Sequence, residues 1–171
     1  MTLSDTQVHY QHAKSPMDFQ SAKQLFIEYA QSLHLDLAFQ NFDEELADLS
    51  QRYSGQTGDL IMAYVDHEVA GGVAVHQFEP GIGEMKRLYV KDQFRSLGIG
   101  HELVARILAS AASMGYQSVR LDTIPAMKPA QKIYREAGFQ DIEPYRYNPV
   151  PGTIYMACEL ASVSYTHLTL P

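Results

Sequence analysis

The sequence predicts an α/β fold in which helices cover a single mixed β-sheet. Apolar residues recur at helical spacing after Pro16, and from Leu60 onward they follow the period of β-strands. A strand, an amphipathic helix and another strand then follow one another between residues 84 and 122, a pattern typical of a crossover connection. Because these elements are interleaved along only 171 residues, we expect one domain.

The predicted elements run in the order strand, helix, helix, three strands, helix, strand, helix and two final strands. The strands are expected at residues 8–12, 60–65, 69–78, 84–90, 118–122, 139–142 and 153–160, and the helices at 16–33, 43–49, 98–114 and 129–137. Pro16 suits the first turn of a helix, and Gly115 and Gly138 suit helix ends. Turn signals at 66–68 and 79–81 separate three consecutive strands, which we expect to be antiparallel.

The composition is that of an acidic, globular chain. It is 46% apolar and 19% charged, and 13 Lys and Arg against 20 Asp and Glu give a net charge of −7. A surface of this sign disfavours nucleic acid as a partner and is compatible with cationic acceptors such as amines. No apolar run approaches the roughly 18 to 20 residues of a membrane span, so we expect a cytoplasmic protein without a membrane partner.

The sign of the charge reverses in one short segment. Between residues 84 and 95, four basic side chains outnumber two acidic ones, namely Lys86, Arg87, Lys91 and Arg95 against Glu84 and Asp92. An anionic cofactor would find its counter-charges there.

The last nine residues, 163–171, follow a strand that is already complete at Leu160. They resemble the translation of a sequencing adapter, so we expect a single functional domain at 1–162 and a non-native tail at 163–171. A natural C-terminal extension is the alternative.

A phosphate-binding loop is predicted between the fourth strand and the helix that follows it. Backbone N–H groups at a helix start, together with its dipole, bind a pyrophosphate, and glycines at 98 and 100 would let its oxygens approach. A charge-assisted contact from Arg95 would add to this. A glycine-rich turn without a ligand is the alternative, and a Rossmann fingerprint fits less well because its third glycine is missing. The segment consists of Arg95, Ser96, Leu97, Gly98, Ile99 and Gly100.

Four motifs in order resemble the GNAT superfamily of N-acetyltransferases. They are GEMKRLYV at 83–90, RSLGIG at 95–100, LDT at 121–123 and AQKIYREAGF at 130–139. The resemblance implies a mostly antiparallel sheet that is splayed between strands 4 and 5, with acetyl-CoA bound as cosubstrate in the opening. The backbone of Leu88, Tyr89 and Val90 would pair with the pantetheine arm, and an N–H near Val90 would polarise the acetyl carbonyl.

Two residues are candidates for acid and base catalysis. The resemblance places Glu84 where relatives often carry a general base, and a half-buried carboxylate beside a cleft can have its pKa raised. Glu84 has two alternative roles. It could form a salt bridge to Lys86 or Arg87, or it could anchor a cationic substrate without proton transfer. Tyr134 matches the tyrosine that serves many relatives as general acid, since a phenol is protonated at neutral pH, and ordinary helix packing is its alternative.

The acceptor site is expected in the least patterned segments, 33–42, Arg52, Tyr53 and 144–149, where aromatic and acidic side chains would suit a cationic ligand. We expect no metal, because the seven histidines are scattered, and we expect Cys158 to be a buried strand thiol. The predicted function is transfer of acetyl to a primary amine, first of a small molecule and second of a protein. A non-catalytic acyl-CoA sensor is the alternative class, and a homodimer is left open.

Overall fold

The computed structural model describes residues 7–33 and 41–160. The strands are β1 Val8–His12, β2 Asp59–Val65, β3 Glu68–Glu79, β4 Ile82–Val90, β5 Ser118–Thr123, β6 Gln140–Ile142 and β7 Ile154–Glu159. The helices are α1 Pro16–Leu33, α2 Phe42–Ala47, α3 Leu49–Arg52, α4 Ile99–Ser113 and α5 Lys128–Glu136, with a 3₁₀ helix at Asp92–Leu97. The short α3 and the 3₁₀ helix were not predicted, and the tail 163–171 lies outside the described residues.

The strands form one sheet in the order β1-β2-β3-β4-β5-β7-β6. Every neighbouring pair is antiparallel except β4 and β5, which are parallel and joined through α4. The predicted α/β class and mostly antiparallel sheet are therefore confirmed.

Two apolar clusters lie on the two faces of this sheet. Leu103 and Ile107 of α4 pack with β-strand residues such as Val73 on one side, because the apolar positions of α4 recur along one stripe. Phe26 of α1 and Tyr53 pack on the other side. The sheet is thus covered on both faces, and its functional surface must lie along an opening between strands.

The pairing between β4 and β5 is short, and this creates the opening. It consists of three register pairs, the last of which is Glu84 with Arg120. Beyond that point β5 continues to pair with β7 as far as Thr123 and Ile154, while β4 runs on to Val90 along β3 alone. The two strands separate into the predicted V-shaped opening, with Glu84 at its vertex.

A β-bulge in β4 changes which side chains face the opening. The register with β3 shifts between Gly72 opposite Tyr89 and Ala74 opposite Lys86, and Arg87 adopts a φ of 65°. A bulge adds one residue to a strand and breaks the alternation of its side chains. Met85 and Leu88 therefore both pack in the α4 cluster, while the intervening two residues lie on the other face.

The bulge is held by a buried ion pair. The Arg87 guanidinium donates from Nε and Nη2 to the two carboxylate oxygens of Glu45, at 3.0 and 2.9 Å. Both side chains are buried, and removing one partner of such a pair typically costs about 3 to 5 kcal/mol. The pair fixes α2 against β4 beside the vertex of the opening.

Two further predictions concern a membrane span and the single cysteine. None of the helices in ranges 7–33 and 41–160 is long and apolar enough to cross a membrane. Cys158 is a buried, free thiol in β7, as predicted.

Candidate active site

A narrow cavity of about 50 Å³ lies in the opening between β4 and β5. Leu88 from β4 and Leu121 from β5 form its two walls, and Tyr134 of α5 and Tyr29 of α1 close it. At its edge, the Asn148 amide donates to the Asp122 carboxylate at 3.2 Å. The strands, one helix from each face and the loop before β7 therefore meet at one point.

Tyr134 projects into this cavity from α5. Its side chain is only 7% exposed, and its ring packs on Phe139 with the centroids 5.7 Å apart. Burial, followed by the nearby Tyr29 and Asp122, raises the pKa of the Tyr134 phenol far above its ordinary value. The phenol therefore keeps its proton and is available as a hydrogen-bond donor in the cavity.

Within the predicted phosphate-binding loop, Gly98 is the N-cap residue of α4. This glycine immediately precedes α4 with a φ of 74°, a left-handed conformation that glycine adopts without strain. A Cβ built on Gly98 would meet nothing within 4 Å, so the N-terminus of α4 is open at this point. A helix of 15 residues presents unpaired N–H groups and a positive dipole end there.

The other members of the loop have different surroundings. A Cβ on Gly100 would lie 2.9 Å from Ile133 Cδ1, so the absence of a side chain at this position also lets α5 pack closely against α4. Ile99 is buried in the α4 cluster. Arg95 donates to the Val90 carbonyl at 3.3 Å and pairs with Asp92 at 3.0 Å. The Arg95 side chain is about half exposed. Ser96 is exposed and Leu97 is half-buried.

The backbone of β4 beyond the bulge borders the opening. Tyr89 and Val90 pair with Gly72 and Gly71 of β3 on one side, whereas β5 makes no register pair with them on the other. The Tyr89 hydroxyl donates a hydrogen bond to the Glu28 carboxylate of α1 at 2.9 Å. The main chain of Tyr89 and Val90 is therefore not paired with β5 on the side of the opening.

Glu84 lies at the vertex and is almost completely surrounded. It is 1% exposed. Its carboxylate accepts hydrogen bonds from Tyr145 and from Arg146, both at 2.8 Å, and lies 3.0 Å from His76 Nε2. Burial alone would raise its pKa, but the His76, Lys86, Arg146 and Tyr145 contacts together lower it below the ordinary value. The expected upward shift is wrong, since the strand places these partners around it, and the ion pair is with Arg146 rather than Lys86 or Arg87.

A second, wider cavity of about 340 Å³ adjoins the first, and Lys86 lines both. Its wall also includes Arg52 and Arg146, as the acceptor prediction expected. Tyr53 is different: it is 0% exposed and belongs to the core, so its placement in the acceptor site is wrong. Of the predicted segment 33–42, Leu33 lines the first cavity and Asn41 the second, while 34–40 lie outside the described residues.

Sequence reasoning missed His76 and Lys86. His76 faces Glu84 directly across the β3–β4 hairpin, and the turn at 79–81 together with the eight-residue separation was a usable signal. For Lys86 no such signal existed, because its position depends on the bulge. Burial, followed by repulsion from Arg87, lowers the pKa of Lys86 to about 8.

A sheet that opens at one vertex, an accessible N-terminus of α4 on one side and a protonated phenol in the cleft are together compatible with the class of thioester-dependent acyltransferases. A model of the Acetyltransferase (GNAT) family matches residues 19–139, more than half of the chain. The chain belongs to this family and is an acetyl-CoA-dependent N-acetyltransferase.

Named relatives agree with this assignment. An uncharacterized N-acetyltransferase of Schizosaccharomyces pombe is 42% identical over 150 residues, which cover 86% of this chain and 92% of the relative. The N-acetylaspartate synthetase of Xenopus tropicalis is 28% identical over 74% of this chain and 46% of its own length.

Solved structures show the same fold. A GNAT acetyltransferase from Staphylococcus aureus superposes with a TM-score of 0.75 at 16% identity, covering 90% of this chain and 99% of that one. A GNAT acetyltransferase from Elizabethkingia anophelis with acetyl-CoA bound gives 0.61 at 19% identity, covering 91% and 99%. At these identities the likeness extends to the fold alone.

The phosphate-binding role that the sequence predicts for Gly98 leads to a testable prediction. Gly98→Val should weaken acetyl-CoA binding at least tenfold, because a branched side chain would stand before the N-terminus of α4 where the pyrophosphate is expected. Calorimetric titration with acetyl-CoA measures the effect.

Gly115→Val is the matched control. Gly115 follows the other end of α4, also has a positive φ of 94°, and would also meet nothing within 4 Å. Both variants carry similar backbone strain, about 1 to 2 kcal/mol, and only Gly98→Val should lose affinity. Equal affinities for the two variants would remove the loop from cofactor binding.

Proposed function

We propose that the enzyme transfers the acetyl group of acetyl-CoA to a primary amine of a small molecule, by direct attack within a ternary complex. The observation that carries this proposal is the separation of β4 from β5 after Glu84 and Arg120. It creates a cleft that shares Lys86 with the wider cavity. Acetyl-CoA and the acceptor amine can therefore be bound at the same time.

Acetyl-CoA is proposed to lie along the exposed edge of β4. The pyrophosphate would be held at Gly98 and by the residues from Arg95 to Gly100, and the pantetheine amides by the main chain of Leu88, Tyr89 and Val90. The S. pombe relative's name and the bound acetyl-CoA in the E. anophelis structure support this cosubstrate. Of the basic residues between 84 and 95, Arg95 lies in this loop, is about half exposed and supplies positive charge there.

The reaction begins with loss of a proton from the ammonium form of the acceptor. The neutral amine nitrogen then attacks the thioester carbonyl, and the carbonyl π electrons move to oxygen to give a tetrahedral oxyanion. Collapse of this intermediate breaks the C–S bond, and the CoA thiolate leaves. The second proton of the former ammonium is lost from nitrogen, and one proton goes to sulfur, giving the amide and CoA thiol.

Tyr134 is proposed to donate a hydrogen bond to the departing thiolate. Its raised pKa keeps the phenol protonated throughout the neutral range, and its burial strengthens a hydrogen bond to an anion. Because a raised pKa also makes the phenol a weaker acid, its contribution is expected at the lower end of the range for general acids.

Glu84 is proposed as a positioning residue rather than as the base itself. Three partners already surround its carboxylate, and its lowered pKa makes it a weak proton acceptor. His76 lines the wider cavity and is held by Glu84 through Nε2. We propose that His76 accepts the proton of the acceptor, since a histidine held by a carboxylate is a common general base.

A small acceptor is favoured by the size of the cavity. About 340 Å³ is at the lower end of the volumes that hold small molecules. The name of the X. tropicalis relative, N-acetylaspartate synthetase, refers to a product made from a free amino compound.

The experiment that tests this function is a screen of primary amines for release of CoA thiol from acetyl-CoA. We expect at least one small amine to give thiol and the matching N-acetyl product by mass spectrometry. Release with peptides alone would indicate a protein acetyltransferase, and tight acetyl-CoA binding without any turnover would indicate a sensor module. Either result contradicts the proposal.

The role of Tyr134 can be separated from cofactor binding. Tyr134→Phe should lower kcat about a hundredfold and leave acetyl-CoA affinity within about threefold, because the ring and its packing on Phe139 are kept. Tyr10→Phe is the control, since Tyr10 lies on β1 beneath Arg106. If the two variants turn over equally fast, Tyr134 is not the acid.

Glu84→Gln tests the positioning role through pH. Because the folded pKa of Glu84 is lowered, its charge stabilises the fold above the ordinary glutamate pKa of 4.5, and this contribution is lost as the pH falls toward the folded value. In urea unfolding, the free energy of unfolding of the wild type should fall by this contribution between about pH 5 and pH 3. Glu84→Gln should lack this contribution and its pH dependence.

The same variant distinguishes the two catalytic assignments. If Glu84 positions His76, kcat/KM of Glu84→Gln falls about tenfold while its pH profile keeps an acid limb. Disappearance of that limb would make Glu84 the base. Glu102→Gln, which alters an exposed pair with Arg106 on α4, is the control for both measurements.

A further inference from the structure

The wider cavity has a charge opposite to that of the protein as a whole. Its wall contains Arg52, Lys86 and Arg146, together with His76, Phe78 and Tyr147. No carboxylate is among the described residues that line it. In a chain with a net charge of −7, this is a local concentration of positive charge.

The two buried carboxylates beneath this cavity do not cancel that charge. Glu84 is engaged by His76, Tyr145 and Arg146, and Glu45 is engaged by Arg87 and lies 3.9 Å from Arg52. Among the described residues, the side chains of Arg52, Lys86, Arg87 and Arg146 therefore share these two carboxylates at this end of the opening. The excess positive charge faces the cavity.

Lys86 carries part of this excess. Within ranges 7–33 and 41–160, its ammonium has no hydrogen bond and no carboxylate within 4.0 Å; Glu84 and Glu45 act on it only at longer range. A half-buried ammonium without a close partner is costly. The pKa of about 8 reflects that cost, and an anion placed beside Lys86 would relieve it.

Arg146 provides a second donor in the same place. One terminal nitrogen binds Glu84 at 2.8 Å, but Nε is buried and has no acceptor in the described part of the chain. Buried N–H donors are almost always paired in folded proteins. A guanidinium with a free Nε–H can bind an oxygen of a carboxylate, and Lys86 can contact the other as a point charge.

We propose that Lys86 and Arg146 bind a carboxylate of the acceptor, so that the substrate of this enzyme is an amino acid or a related amino carboxylate. This inference rests on the proposed N-acetyltransferase function and names the class of its acceptor. It replaces the expectation of a purely cationic ligand, because a diamine would place a second positive charge among Arg52, Lys86 and Arg146.

The location of Lys86 also sets the distance between the carboxylate and the amine. Lys86 lines both the wider cavity and the cleft that contains Tyr134. A carboxylate bound there lies at the boundary between them, so an amine only one or two carbons away reaches the thioester. Phe78 and the 77% exposed Tyr147 supply apolar surface for the remaining carbon atoms.

The test compares amino acids with their primary amides, which have the same skeleton but no carboxylate charge. Wild-type enzyme should prefer the amino acid, and the ratio of the two kcat/KM values should fall at least tenfold in Lys86→Met and in Arg146→Gln. Because each variant is judged by the ratio between paired acceptors, differences in amine basicity cancel. Acetyl-CoA affinity, measured by calorimetry, should change less than threefold and shows that each variant is folded.

Lys14→Met is the matched control, because Lys14 is exposed and lines neither cavity. Its ratio should equal that of the wild type. Amides or diamines acetylated as well as the amino acids, or an unchanged ratio in both Lys86→Met and Arg146→Gln, would overturn the carboxylate site while leaving N-acetylation intact. Absence of turnover with every amine would instead refute the proposed function.

Discussion

The separation of two parallel strands is the constraint on which the site depends. β4 and β5 pair over three positions and then part at Glu84 and Arg120, although both strands continue beyond that point. Main-chain groups in a sheet normally find partners on both sides, and here one side of β4 is left open. A ligand with its own amides can take that place, and the N-terminus of α4 lies nearby because α4 follows β4 in the chain after the segment Asp92–Leu97.

The bulge at Arg87 determines what the open strand presents. Without it, neighbouring side chains would alternate between the two faces, and Lys86 and Arg87 would point apart. The buried pair between Arg87 and Glu45 compensates for a positive φ at a non-glycine residue. A feature of the backbone and an ion pair from α2 thus combine to place a cationic surface next to the vertex.

The pKa values of the side chains in the site depend on the groups that surround each side chain and cannot be read from the residue type. Glu84 was expected to be a base with a raised pKa, but three donors lower that pKa, and His76 becomes the proposed proton acceptor. Lys86 has no close carboxylate among the described residues, and its pKa is lowered instead. The acidic composition of the chain therefore gives no guide to the acceptor, because the local field of the cavity has the opposite sign.

The sequence by itself determined the strands, the longer helices, their order and the family, because these depend on periodicity and on short motifs within one segment. Only the tertiary structure decided the acceptor side. Arg146 reaches Glu84 from 62 residues away, Tyr145 from 61, and Glu45 reaches Arg87 from 42. Such contacts leave no periodic trace in a sequence, since they depend on how the bulge, the loop before β7 and α2 pack together. The core position of Tyr53 was missed for the same reason.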